Sequence, residues 1–108
     1  MPQPVFTVKG SELADLNGKY FVDTAKNNGF MNGKHRYRKD EVASDGSVST
    51  VFHYGGEWRI GSEYLTSAYI VESNTDQPPT SGWTDTVGID SPVQLVYEMS
   101  DVTRYFVV

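Results

Sequence analysis

His35 and His53 are the only two histidines in the chain, each in a predicted strand and flanked by aromatic or basic residues. A metal site built on a strand wants His, Asp or Glu at i and i+2, so that both ligands leave the same face. Neither histidine has a carboxylate at i±2. Both therefore read as strand residues facing solvent or a tyrosine. Serines and acids are plentiful, but no Gly-x-Ser-x-Gly elbow presents a nucleophile to a base and an orienting carboxylate. Asp40/Glu41 and Asp85/Asp90 have the residue types of a glycosidase pair. Such pairs work in clefts of larger domains, and nothing in the neighbouring sequence marks these acids as buried. Asp40, Glu41 and Asp45 share one loop and carry oxygen ligands of the kind calcium takes. The EF-hand order of ligands is absent, and a solvated loop is the preferred reading. There is no cysteine and no glycine-rich phosphate loop before a helix. The expectation is no catalysis, no cofactor and no metal.

The aromatic residues hold more promise. Trp58, Trp83, Tyr37, Tyr54, Tyr64 and Tyr69 lie in predicted strands or beside loops. Aromatic rings exposed on a β-surface stack on sugar rings or anchor a protein interface. The competing use is the core, because the chain has few Leu and Ile. Trp58 alternates with charged Glu57 and Arg59 and pairs in period with Ile60, so it is assigned to the core. Trp83, after the Pro78-Pro79 loop, is either an exposed contact or a lid over the sheet.

These residues must be positioned by a ladder of turn dipeptides alternating with aromatic strands. Asn17-Gly18 precedes Lys19 to Val22, Asn32-Gly33 precedes Lys34 to Tyr37, and Gly55-Gly56 separates Val51 to Tyr54 from Glu57 to Ile60. Such pairs accept positive φ at both central positions of a type I′ turn, whose twist matches that of paired strands. Asp45-Gly46 is a further hairpin-competent pair. Val5 to Val8 and Val93 to Tyr97 read as strands, and so does Trp83 to Val87. Ser47 to Tyr54 alternates Val48, Thr50, Phe52 and Tyr54 on one face with Ser47, Ser49, Val51 and His53 on the other. Ser11 to Leu16 reads as one helical turn with Ser11 as N-cap. Ser73 to Ser81 is the clearest loop. The fold class is all-β: a small antiparallel meander closing into a compact barrel or sandwich. One domain spans 1–108, with 86–108 as an added C-terminal strand extension.

The net charge is −5 and is unevenly spread. Residues 1–60 hold eight Lys and Arg against seven Asp and Glu, whereas residues 61–108 hold Arg104 alone against seven acids. A pI of about 4.8 argues against generic nucleic-acid binding, which needs a broad basic face. No apolar run approaches the ~20 residues that span a bilayer. The start, Met1-Pro2-Gln3-Pro4, shows no basic or apolar region of a secretory signal. The polarity suits head-to-tail self-association, with the basic strand around Arg36 and Arg38 facing the acidic half of the next copy.

Taken together, several segments resemble a short β-rich module found in phage-type structural proteins and in extracellular multidomain proteins. They are Asn17-Gly18-Lys19-Tyr20, Asn32-Gly33-Lys34 with Tyr37, Tyr54-Gly55-Gly56-Glu57-Trp58-Arg59-Ile60, Tyr69, and Pro78-Pro79 with Gly82-Trp83. The likeness covers residues 5–85, and the tail beyond it departs from the module by adding strands of its own. The resemblance implies a non-catalytic module and supplies no active-site residues.

The resulting expectation is a non-enzymatic structural or interaction protein that acts as one copy among many. Its concrete form is a small, complete virion surface component, decorating a capsid or associated with a tail. The chain would work at the virion or extracellular surface, through strand addition and aromatic anchors. Its partners would be other protein subunits (its own kind or a capsid or tail protein), with no nucleic acid and no membrane. Candidate contacts are Trp83, Tyr69, Tyr64, Arg36, Arg38, Tyr105 and Phe106. An apolar end such as Tyr105-Phe106-Val107-Val108 should pair with a strand of this chain or of a neighbour. The alternative is a carbohydrate-binding module using surface Trp and Tyr, with glycans as ligands.

Overall fold

A computed structural model describes residues 4–24, 30–31, 33–42, 46–62, 67–86, 88 and 92–98. The strands are β1 (Phe6–Lys9), β2 (Gly18–Val22), β3 (Phe30–Met31), β4 (Lys34–His35), β5 (Tyr37–Lys39), β6 (Ser49–Tyr54), β7 (Glu57–Ser62), β8 (Tyr69–Glu72), β9 (Thr84–Asp85) and β10 (Gln94–Tyr97). Eight of them form one antiparallel sheet in the order β10-β1-β2-β5-β6-β7-β8-β9, and β3 and β4 make a separate ribbon. The large sheet curls into a half-barrel, so the all-β expectation holds. The segment 92–98 is no appendage: β10 pairs with β1 from Phe6↔Tyr97 to Lys9↔Gln94, and Val93 and Leu95 are buried in the common core.

The turn chemistry explains part of this order. Gly55 and Gly56 take φ of 63° and 82° and close the β6–β7 hairpin over the pair Tyr54↔Glu57, as a type I′ turn requires. The β3–β4 ribbon brackets positions 32–33, with Met31 opposite Lys34. Asn17-Gly18 behaves differently from the hairpin expectation. Gly18 opens β2 opposite Val8, and the Asn17 side chain closes a loop instead. Its Oδ1 accepts from the Ser11 backbone N–H at 3.0 Å and its Nδ2 donates to the Ser11 carbonyl at 2.8 Å. The expected helical turn inside that loop is a 3-10 turn, Ala14–Leu16, and it lacks a side-chain N-cap. Ser11 serves the preceding bend, where its Oγ accepts from the Leu13 N–H at 3.0 Å.

Alternation along the strands separates two faces of the sheet. The inner face carries a cross-strand row Val22, Tyr37, Val51, Ile60 and Tyr69 and a second row His53, Trp58 and Val71. Trp58, Tyr20, Tyr37, Tyr69, Phe6 and Ile60 on this face are essentially inaccessible. Phe6 stacks on Tyr20 at 5.5 Å and meets Tyr37 edge-on at 5.0 Å. Aromatic rings thus do the work that Leu and Ile do in most cores, and each such pair adds ~1 kcal/mol beyond its buried area.

Candidate functional site

Two regions gather the residues able to make contacts. The first is the strap formed by residues 73–83 between β8 and β9, which crosses to the opposite edge of the sheet. Most of its carbonyls are taken by donors from the sheet, from the β3–β4 ribbon and from its own Trp83. His53 Nε2 meets the Ser73 carbonyl at 2.8 Å, which requires the proton on that nitrogen. Lys34 Nζ donates to Asn74 at 3.0 Å and Trp58 Nε1 to Thr75 at 3.1 Å. The Tyr97 hydroxyl donates to Pro78, Trp83 Nε1 to Pro79 at 2.9 Å, and the Leu95 backbone N–H to Thr80 at 3.0 Å. Proline suits this strap because its carbonyls need partners while its missing N–H does not. An open groove of about 790 Å³ runs beside the strap, between Pro78-Pro79 and the rings of His35, Tyr37 and Tyr97.

Burial pushes the hydroxyl pKa of Tyr20 and Tyr37 up, and burial with the neighbouring Tyr37 does the same for Tyr97. These phenols therefore stay neutral at neutral pH and are unsuited to act as bases, and the neutral hydroxyls of Tyr20 and Tyr97 donate to the Leu16 and Pro78 carbonyls. Among the described residues no group of three His, Cys, Asp or Glu is placed to hold a metal ion.

The second region is the outer face of the same sheet. Phe52, Arg59, Ile70 and Thr84 follow one another across β6, β7, β8 and β9. Phe21 pairs with Arg38, and Tyr54 pairs with Glu57, which in turn faces Glu72. Phe21, Phe52 and Ile70 are half-buried, Arg38 and Glu72 are exposed, and Tyr54 is 54% exposed. The Arg59 guanidinium lies 5.3 Å over the Tyr54 ring and pairs with Glu57 at 2.8 Å. It relieves the like-charge contact of Glu57 with Glu72 while covering an aromatic face.

The structure distributes the anticipated contact residues unevenly. Tyr69 is inaccessible, and its hydroxyl shares a hydrogen bond of 3.0 Å with Ser11 Oγ, so it is a core residue and no surface contact. Arg36 is drawn into a 2.8 Å ion pair with Asp23, whose side chain is only 3% exposed. The backbone N–H of Asp23 also donates to the Arg36 carbonyl at 2.7 Å. Trp83 is half-buried against the core and clasps the strap, which places it nearer the lid reading than the free platform. Arg38 alone of the described set stands exposed on the outer face. Tyr64, Tyr105 and Phe106 lie outside the described residues, as do Asp45 and Asp90.

His53 does not face solvent. It is buried and sits edge-on to Trp58 at 5.1 Å. Tyr54 with Arg59 was missed as a pair. The signal was present in Tyr-Gly-Gly-Glu-Trp-Arg, because a two-residue turn sets Tyr54 opposite Glu57 and within reach of Arg59 on the same face.

No family model, curated protein or solved structure matches this chain.

Proposed function

We propose that this protein is a non-enzymatic structural or interaction protein. In its concrete form it is a virion surface component that decorates a capsid or associates with a tail. The observation that carries the interaction reading is the outer face. Phe21, Phe52, Tyr54 and Ile70 lie on the solvent side of the sheet, interleaved with Arg38 and Arg59. Aromatic residues and arginine are the types enriched where proteins bind one another. The virion form is taken from the resemblance of residues 5–85 to the module of phage-type structural proteins.

Strand addition is a weaker mechanism for this chain than aromatic anchoring. One sheet edge, β9, has two residues, and on the other the Leu95 N–H of β10 is occupied by Thr80. Short and covered edges resist pairing with foreign strands. The test is a native mass measurement of the particle or assembly from the source, with the purified protein added back to undecorated particles. Saturable binding at a fixed copy number supports the reading, and no binding to any particle or protein of the source refutes it.

The groove beside the strap favours a second reading, carbohydrate binding. Its rings are flanked by Thr75, Gln77 and Thr80, which supply the hydrogen-bonding groups a sugar needs. A glycan array with tryptophan-fluorescence titration decides this reading. No quenching and no binding to any polysaccharide would remove it.

A further inference from the structure

Charges on the outer face are arranged in a pattern that complements itself. Arg38 stands exposed on β5 level with Thr50, and exposed Glu72 stands on β8 level with Tyr54, three strand spacings (about 14 Å) across the sheet and four residues (about 13 Å) along it. Midway between them lie Phe52 and Arg59, the latter already neutralised by Glu57, with Ile70 and Tyr54 to either side. A two-fold rotation about an axis through this centre sets Arg38 of one copy on Glu72 of the other, twice over. It also apposes the two apolar centres. A partner with a uniformly acidic or basic face would leave one of the two flanks repelled. A second copy leaves none.

We infer that this face is a self-association surface on which two copies of the chain pair isologously through Arg38 and Glu72 around Phe52. The inference rests on the interaction reading above and names the partner for that same face. An isologous contact closes at two copies, so it yields a dimer and not an open filament. The sheet curls away from the partner beyond β5 and β8, which keeps the buried area small and the dimer concentration-dependent.

The experiment is sedimentation equilibrium of the full chain, from micromolar to millimolar concentration, for the wild type, Arg38→Glu, Glu72→Arg and an equimolar mixture of the two variants. The wild type is expected to approach twice the 12.1 kDa of one chain. Each variant alone places like charges at both symmetry-related contacts, and its dissociation constant should rise by about 100-fold. The mixture should restore dimers, because each contact then pairs opposite charges. Restoration also shows that both variants are folded.

A wild type that stays monomeric at every concentration overturns the inference. A dimer that neither variant weakens overturns it as well, and so does a mixture that fails to recover. Binding of the monomeric protein to particles in the add-back assay would leave the interaction reading standing while self-pairing falls.

Discussion

The inner and outer faces of the one curled sheet use the same residue types to opposite ends. On the inner face, Trp58, Tyr37 and Tyr69 are inaccessible, and the polar tips of Trp58 and Tyr69 are tied within the chain. On the outer face, Tyr54 is half in water and carries an arginine on its ring. An aromatic side chain contributes to the fold when its ring is covered by its own chain, and to recognition when it is not. The difference lies in what crosses each face. The strap of residues 73–83 closes over the inner side, and no described strap covers Tyr54.

The largest expected difference between the two faces is at Trp58. Trp58→Ala should cost about 3–5 kcal/mol, enough to unfold much of the population, as read by urea denaturation. Tyr54→Ala in the same assay should stay within about 0.5 kcal/mol of wild type. Equal costs would show that the two faces are not distinct.

Next in size is the Asp23–Arg36 pair. Asp23→Ala removes the buried carboxylate paired with Arg36 and should cost about 3–5 kcal/mol, whereas Asp23→Leu with Arg36→Met should recover most of it. A double-mutant cycle by denaturant measures the coupling. A negligible coupling would return Arg36 to the list of available contacts.

A smaller effect is expected where Trp83 holds the strap. Trp83→Phe leaves the Pro79 carbonyl without its donor and should cost about 1–3 kcal/mol. Faster hydrogen exchange at the backbone amides of residues 73–77 and 80–83 should accompany it. Unchanged exchange there would show that Trp83 does not hold the strap.

Alkaline pH tests the buried phenols. Their folded pKa values lie above the ordinary value of about 10, so the unfolded chain loses protons first as pH rises. The stability they support is fully present below pH about 10 and declines as pH rises past it. Tyr97→Phe should flatten part of that decline, measured as melting temperature against pH. A slope identical to wild type would exclude Tyr97 as a contributor.

Much of the fold was legible because strand and turn chemistry is local. Gly55-Gly56 names its own turn, and the alternation from Ser49 to Tyr54 names its own strand. Asn17-Gly18 carries the same dipeptide signal and does another job. A dipeptide reports which φ it tolerates and not whether two strands stand ready beside it. The candidate site was far less legible. Arg36 and Arg38 are two residues apart in one basic segment, yet one is paired with a buried acid and the other faces water. That difference depends on Asp23, which sequence order does not place beside them. The carbonyls of Ser73 to Thr80 gave no sequence signal at all, since every residue has one.

The chain by itself determined an all-β meander, the Gly-Gly hairpin and the place of Trp58 in the core. These follow from backbone sterics and from hydrophobic period, both of which act over a few residues. Only the tertiary structure decided that Val51 and His53, and not Phe52 and Tyr54, form the buried face of β6. It alone turned a proline-rich loop into a strap and divided the arginines between core and surface. Those outcomes depend on which side of the sheet the strap crosses, and that is a contact between segments far apart in sequence.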